Sequence, residues 1–496
     1  MNDRIETQHA QKKLHACERI LLLLDKDSFR EIGSGVNSYR FNHDTGGSSK
    51  STEYDGVITG RGTIAGKTVF VFAQDFTVSG GSIGLNHGRK IARTIALAIE
   101  ARCPVIGIFD SGGARIEEGI NALAGCGEFI FQNVRASGVI PQISVVAGPC
   151  AGAAAYSLAI SDFVFAVKQI GQIYITGNKV IEQVTGEKCD LQELGGAKLH
   201  AELSGVAHFL HSSERKCFAE VRRLISVLPS HWEDKAVSPS AAYTEGSGGA
   251  SLRVPTDTKL PYSMSALIEA IFDTDSFLEV HRLFAANILT GFATLCGRTV
   301  GVIANNPQIK SGCLDRDSSD KAARFVRFCD AYSIPLITFV DTPGYLPGME
   351  EERGGIVRHG AKLLYAYSEA TTVKLTVIVR KAYGGAYIAM CSRQLGADYV
   401  YASPLAELAV MGADGAVSIL HHRELANAGE QERALRETYV QAYREQYMNS
   451  SVASAEGYID EILEFSAMRK RLFEDISALE KKKAETPPKK HGNIPL

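Results

Sequence analysis

Hydrophobic positions along the chain fall into two kinds of run that alternate. GKTVFVFAQD from Gly66 and CPVIGIFD from Cys103 are short, β-branched and aromatic, which predicts buried strands. Between them HGRKIARTIALAIEAR from His87 repeats its apolar residues with a 3.6 period and predicts an amphipathic helix. Strand, helix and strand in succession predict an α/β layered fold with right-handed crossovers. Four of the buried strands run directly into glycine-containing turns.

The pattern occurs twice. GRGTIAGKTVFVFA from Gly60 aligns without gaps on GFATLCGRTVGVIA from Gly291. At the same spacing Lys90 meets Lys321, Arg93 meets Arg324, Pro104 meets Pro335, Asp110 meets Asp341 and Gly113 meets Gly344. Further on, PCAGAAAYSLA from Pro149 parallels AYGGAYIAM from Ala382, and a slightly longer spacing pairs Gly152 with Gly385. Upstream, Ser28-Phe29 answers Ser276-Phe277. A register held over such lengths marks an internal duplication. The expected division is residues 1–240, a linker at 241–262, and residues 263–496. VSPSAAYTEGSGGASLRVPT from Val237 reads as flexible, as does a polar loop near residue 45. The basic tail ALEKKKAETPPKKHGNIPL reads as extended over a surface.

Composition narrows the function. The 53 basic and 56 acidic residues of the 496 leave a net charge of −3, which argues against binding nucleic acid by phosphate neutralisation. Hydrophobic residues make up 45% of the chain, enough for large cores. The ten cysteines form no CxxC pair, so a metal site has no local support, and none is expected. The N-terminal stretch lacks a signal peptide's apolar core and no run is long enough to span a bilayer; a reducing cytoplasm is the expected location.

The glycine turns carry the candidate chemistry. DSGGAR after Asp110 and AGPCAGAAAY after Val146 have counterparts in DTPGYLPG and RKAYGGAY. Where a small-residue turn opens a helix, unpaired backbone N–H groups can hold a carbonyl oxygen whose charge grows during reaction. The other reading is close helix-on-sheet packing; duplication of the turn favours the donors. A serine nucleophile at Ser111 lacks a GxSxG elbow and a nearby histidine, and the GxGxxG and GxxxxGK[ST] fingerprints are absent. Asp110 and Asp341 are candidate general bases, though capping of the following turns is the stronger reading. His359 and Lys362, three apart on one predicted helix, are candidates for a phosphate-binding pocket or a solvated face. Glu117-Glu118 reads as first-turn acidic bias.

HAQKKLHACERILLLLD, QDFTVSGGS, DSGGARIEEG, ASGVIPQISVVAGPCAG, ELGGAKLHAELSGVAH, VDTPGYLPG, RHGAKLLYAYSEAT, RKAYGGAYIAM, AELAVMGADGAV and KKHGNIPL, in that order along most of the chain, resemble the carboxyltransferase (β) subunits of biotin-dependent acyl-CoA carboxylases, the propionyl-CoA carboxylase type above all. The resemblance implies two tandem ClpP/crotonase-like β-β-α spiral domains and a homohexamer in which the first half of one subunit faces the second half of a neighbour. It implies an acyl-CoA site mainly on the first half and a biotin site on the second. The biotin is carried by a biotin carboxylase or biotin carboxyl carrier partner, because this chain has no biotinylation motif. By position, Gly152 and Ala153 would hold the thioester oxygen, and Gly385 and Ala386 the ureido oxygen of biotin. Gly112, Gly113, Ala114 and Arg115, with Tyr383, Gly384 and Ile388, would contact substrate. Carboxybiotin would release carbon dioxide, its nitrogen would take the α-proton of the thioester, and the enolate would attack carbon dioxide. Departures from the family pattern include Ala153, Gly88-Arg89, Ser403, SILHHREL and Ile388. They leave the acyl group open. They also keep two alternatives: a decarboxylase or transcarboxylase subunit with the same chemistry, and a silent scaffold homologue suggested by Ser403 and His421-His422.

Overall fold

A computed structural model describes residues 2–38, 53–234, 242–245, 254–484 and 486–495. Its contacts divide the chain into two compact units, Met1–Asp234 and Lys235–Leu496. The first contains α1 (Asn2–Ala10), α2 (Ala16–Leu23), β1 (Arg30–Glu31), β2 (Val57–Ile64), β3 (Lys67–Gln74), α3 (Leu85–Ala101), β4 (Val105–Ser111), α4 (Ile120–Ala136), β5 (Gln142–Ala151) and α5 (Ala153–Ile160). It continues through β6 (Phe163–Val167), β7 (Gln172–Tyr174), α6 (Asn178–Thr185), α7 (Leu191–Gly195), α8 (Ala197–Glu202), β8 (Phe209–His211) and α9 (Glu214–Val227). The second contains α10 (Met264–Ile271), β9 (Leu278–Val280), β10 (Ile288–Leu295), β11 (Arg298–Asn305), α11 (Arg316–Ala331), β12 (Leu336–Thr342), α12 (Met349–Arg353), α13 (Ile356–Glu369), β13 (Lys374–Tyr383) and α14 (Gly384–Ala389). After β14 (Tyr399–Ala402) and β15 (Glu407–Ala409) come α15 (Ala413–Leu420), α16 (His422–Asn427), α17 (Glu432–Tyr443) and α18 (Ser450–Ala455), then β16 (Glu461–Ile462) and α19 (Phe465–Ala478).

The two sheets have the same topology. The first runs β1-β2-β3-β4-β5-β6-β8 with β7 paired to β5; the second runs β9-β10-β11-β12-β13-β14-β16 with β15 paired to β13. An antiparallel hairpin opens each, closed by Ala65-Gly66 and Cys296-Gly297, both left-handed as a two-residue hairpin turn requires. The strands that follow pair in parallel and are buried throughout, as the unbroken apolar runs of β4 and β12 require. Each sheet carries its own core, with Phe72, Phe109, Phe129 and Ile95 in the first and Phe272, Phe339, Val377 and Leu472 in the second.

Helix packing depends on particular residues. α3 crosses α4 at Gly88, where an added Cβ would lie 2.3 Å from the Gly125 carbonyl oxygen. The N-terminus of α3 has no side-chain cap of its own; Leu85 N donates instead to Glu118 Oε2 at 2.7 Å. The counterpart α11 carries Asp315 and Ser318 as a capping box.

Part of the expected linker is held against the second sheet. Arg380 Nη1 donates to the carbonyls of Pro255, Asp257 and Leu260 at 3.3, 3.1 and 2.9 Å, which ties this segment to β13. Residues 235–241 and 246–253, and the polar loop at 39–52, lie outside the described residues. The basic tail is extended, with Lys489 paired to Glu369 on α13.

Candidate active site

The central strand of each sheet pairs with its neighbour in register until both reach a bulge. β4 pairs Phe109 with Val146 and then Ser111 with Cys150; β12 pairs Val340 with Ile378 and then Thr342 with Ala382. Beyond the bulges the chain enters the glycine turns. Gly113, with φ +100°, rests against Ala151, and the ring of Tyr345 lies against Gly385. The turn after β4 is therefore beside the turn after β5, and the turn after β12 is beside the turn after β13.

Gly152 and Gly384 have left-handed φ values of +62° and +59°, and β7 pairs Tyr174 with Ala151 as β15 pairs Ala409 with Tyr383. The structural counterpart of Gly152 is thus Gly384, not Gly385. This shift matters for the donors. Gly152 N already donates to Tyr174 O at 3.1 Å, so its amide is committed to the sheet. Among the described residues the N–H groups of Ala153 and Ala154, and those of Gly385 and Ala386, meet no backbone acceptor. These are two equivalent pairs of free donors, each at the start of a helix.

The rest of the first turn is occupied by its own architecture. Gly112 N donates to Gly80 O at 3.0 Å, and Gly113 N to Ser111 Oγ at 3.1 Å. Ala114 lies between two backbone bonds to Ile83, from Ile83 N to Gly113 O and from Arg115 N to Ile83 O, so its own N–H faces the other side. Arg115 was expected to contact substrate, but its guanidinium is buried and spent: it reaches Asp55 at 2.6 Å, Glu118 at 2.7 Å and Ser82 O at 2.8 Å. Ser111 and its counterpart Thr342 are the side chains that cap these turns; Thr342 Oγ1 accepts from Gly344 N at 3.3 Å.

Asp110 and Asp341 therefore do not cap the turns. Both are fully buried in ion pairs: Asp110 with Lys13 and Arg19 at 2.8 Å each, and Asp341 with Arg380 at 2.9 Å. A neutral relay runs beside Asp110. His87 Nδ1 donates to Asp55 O at 2.8 Å, so its Nε2 is left to accept from Gln74 at 3.2 Å, and Gln74 Oε1 accepts from Asp110 N at 3.2 Å. Burial pushes the His87 imidazole down to about 3.

In the second unit Tyr383 is buried behind its turn, its hydroxyl donating to Glu407 on β15, and burial raises its phenol. Ile388 on α14 is 43% exposed. His359 and Lys362 are brought together, but against Asp320 on α11, at 2.8 and 2.9 Å. Both side chains are engaged by the Asp320 carboxylate, so they do not form an uncompensated phosphate cradle. Ser403 Oγ donates to Val379 O at 2.5 Å and His421 stacks on Tyr439 at 3.9 Å; both departures have packing roles. Among the described residues no group of three or more His, Cys, Asp or Glu side chains could hold a metal ion.

The carboxyl transferase domain family matches residues 7–494. The chain belongs to this family. Its relatives include the propionyl-CoA carboxylase beta chain of Roseobacter denitrificans, 48% identical over 99% of this chain and 96% of the relative. The methylmalonyl-CoA decarboxylase subunit alpha of Veillonella parvula is 47% identical over 99% of this chain and 95% of its own length. A solved transcarboxylase 12S subunit, described as a hexamer with methylmalonyl-coenzyme A and methylmalonic acid bound, matches with a TM-score of 0.95 and 44% identity over 100% of this chain and 94% of that one. The two sheets are thus the paired crotonase-like domains of a carboxyl transferase. No helix among the described residues is long and apolar enough to cross a membrane.

Sequence reasoning missed the side-chain network behind the turns of this carboxyl transferase. Lys13, Arg19 and Gln74 lie in stretches that carry the family resemblance, but those stretches, like His87 and Glu214, are far from Asp110 along the chain and nothing in them points to it. One signal was present: the matched pair Lys90 and Lys321. Lys90 Nζ donates to the carbonyls of Tyr54 and Val57, and Lys321 Nζ to those of His281, Phe284, Ala285 and Ile288. Each buried ammonium fixes the chain as it enters the hairpin.

Proposed function

We propose that this carboxyl transferase moves a carboxyl group between biotin, carried on a separate polypeptide, and the α carbon of a short acyl-CoA. The observation that carries the reading is the duplicated pair of free backbone donors. Ala153 and Ala154 receive the thioester oxygen, with Gly152 making the turn rather than donating. Gly385 and Ala386 receive the ureido oxygen of biotin. Biotin, when bound, would supply carbon dioxide and a ureido nitrogen to take the α-proton, and Gly385 and Ala386 would hold the charge left on its ureido oxygen. Ala153 and Ala154 would hold the charge on the thioester oxygen of the enolate as its α carbon attacks the carbon dioxide. Two preorganised amides at a developing oxyanion stabilise the transition state more than the ground state. No side-chain base is needed, which accords with Asp110 and Asp341 being locked in ion pairs and Ser111 in its turn.

The protein works as a homohexamer supplied by a biotin carboxylase or carrier subunit. An exposed apolar stripe at Ile116, Ile120, Leu123, Phe131 and Val134, beside and along α4, supports association. Its ten cysteines are all unpaired thiols, which suits a reducing cytoplasm. Ile388 sits where an apolar acyl chain of two or more carbons can pack. The relatives run the reaction in more than one direction by name, so direction follows the partner subunit.

The purified protein should decarboxylate malonyl-CoA or methylmalonyl-CoA only when free biotin is added, followed by acyl-CoA chromatography. Absence of biotin-dependent turnover with every short acyl-CoA tested would overturn the proposal.

A further inference from the structure

At each bulge one guanidinium bridges the two strands whose turns make the site, but it comes from a different place in each half. In the second unit Arg380 belongs to β13 itself and reaches across to Asp341 at the end of β12, while Lys381 N donates to the other carboxylate oxygen at 3.2 Å. At the spacing that pairs Gly152 with Gly384, the corresponding positions in the first unit are Gly148 and Pro149. Neither can do this: proline has no N–H, and a Cβ on Gly148 would lie 1.9 Å from Asp110 Oδ1.

In the first unit the cations come from the N-terminal segment. Arg19 on α2 donates to Asp110 Oδ2 at 2.8 Å and to Ala147 O at 2.7 Å, joining the end of β4 to the interrupted stretch of β5. Its remaining face is held by Glu214 at 2.7 Å, and Lys13 covers Asp110 Oδ1 at 2.8 Å. The counterpart of Arg19 on α10, at the spacing that pairs Ser28 with Ser276, is the buried Leu267. Where one half has a strand arginine it has an apolar helix residue; where the other has a strand glycine it has a helix arginine.

We infer that Lys13 and Arg19 are positioning residues of the first-half turns: they hold the spacing between residues 112–114 and 152–154, and the second-half turns do not depend on them. This rests on the proposal that acyl-CoA binds at the first-half turns. A backbone ladder broken at the bulge cannot fix that spacing alone, and a displacement of about 1 Å at a reacting carbonyl costs on the order of 10²-fold in rate.

The test measures biotin-dependent decarboxylation with acyl-CoA and free biotin varied separately. Arg19→Met should lower kcat/KM for acyl-CoA by about 10- to 100-fold and leave the KM for biotin within about twofold. Arg380→Met should do the reverse. If Arg19→Met does not fold, the charge-balanced pair Lys13→Met with Asp110→Asn should fold and still show the acyl-CoA defect. Normal acyl-CoA kinetics in a folded variant, or equal changes for both substrates, would overturn the inference. A wild-type protein without biotin-dependent turnover would instead overturn the functional proposal beneath it.

Discussion

Ala153 is the first residue of α5, and its amide is one of two donors assigned to the thioester oxygen. Replacing it with proline deletes that N–H and little else. A first-turn proline keeps a helical φ, and no intrahelical hydrogen bond is lost because the Ala153 N–H has no backbone acceptor. The preceding residue is Gly152, which has no Cβ to clash with the pyrrolidine ring. Loss of one oxyanion donor typically costs 10²–10³ in rate, about 2.7–4 kcal/mol of transition-state stabilisation. Ala153→Pro should therefore reduce kcat for biotin-dependent decarboxylation by roughly that factor, while KM for acyl-CoA changes little. The control is Ala153→Gly, which restores the residue found at the equivalent Gly385 and keeps the N–H; it should retain most of the activity. Both variants would be compared by thermal melting and by gel filtration. Full activity in a folded Ala153→Pro protein would refute the assignment of the donor.

Gly88→Ala places a methyl 2.3 Å from the Gly125 carbonyl, so α3 and α4 must separate; a loss of about 1–3 kcal/mol in denaturant unfolding is expected, and an unchanged midpoint would contradict it. Arg115→Met leaves Asp55 and Glu118 buried without their cation and should destabilise the protein by about 3–5 kcal/mol, whereas the same change at the exposed Arg89 should cost under about 1 kcal/mol. His15 hydrogen-bonds Asp75 at 2.9 Å, which raises its imidazole to about 10. Its folded value lies above the unfolded one, so its stabilisation is complete below about pH 6.5 and is lost as pH rises towards 10. Between pH 7 and 9 the wild type should lose stability with rising pH more steeply than His15→Gln; parallel slopes in urea melts would refute this. Tyr383→Phe removes the hydroxyl that joins β13 to Glu407, and should raise the KM for biotin while leaving that for acyl-CoA unchanged, as initial rates would show.

The duplication was legible because it is written in local pattern. From β2 and β10 through β4 and β12, every paired element keeps the spacing that sets Gly60 against Gly291, since hairpin, helix and buried strand must each keep their length to pack. The glycine turns were legible as a place, but not in register. Pairing Gly152 with Gly385 matches residue names, whereas the sheet matches backbone conformation. Only the left-handed φ of Gly152 and Gly384, and the ladders to Tyr174 and Ala409, show which amides are free. The ion pairs were not legible, because Arg19 and Asp110 are 91 residues apart, and Arg19 and Glu214 are 195 apart. No periodicity carries a contact of that range.

What the halves share bears on the mechanism. Both keep the bulge, the left-handed glycine, the pair of unpaired amides and the hydroxyl that caps the neighbouring turn. They differ in nearly every charged side chain around these, down to which element supplies the arginine. A reaction that relied on a side-chain base would hold that base at one fixed position, with surroundings tuned to its protonation. Here the carboxylate at that position, Asp110 or Asp341, is neutralised in each half by a different construction, and the imidazole linked to Asp110 through Gln74 is buried with its ring nitrogens committed to Asp55 and Gln74. Duplication followed by divergence of the side chains is expected if the retained chemistry belongs to the backbone. The side chains are then left to set how firmly, and for which of two carbonyl ligands, each pair of amides is held.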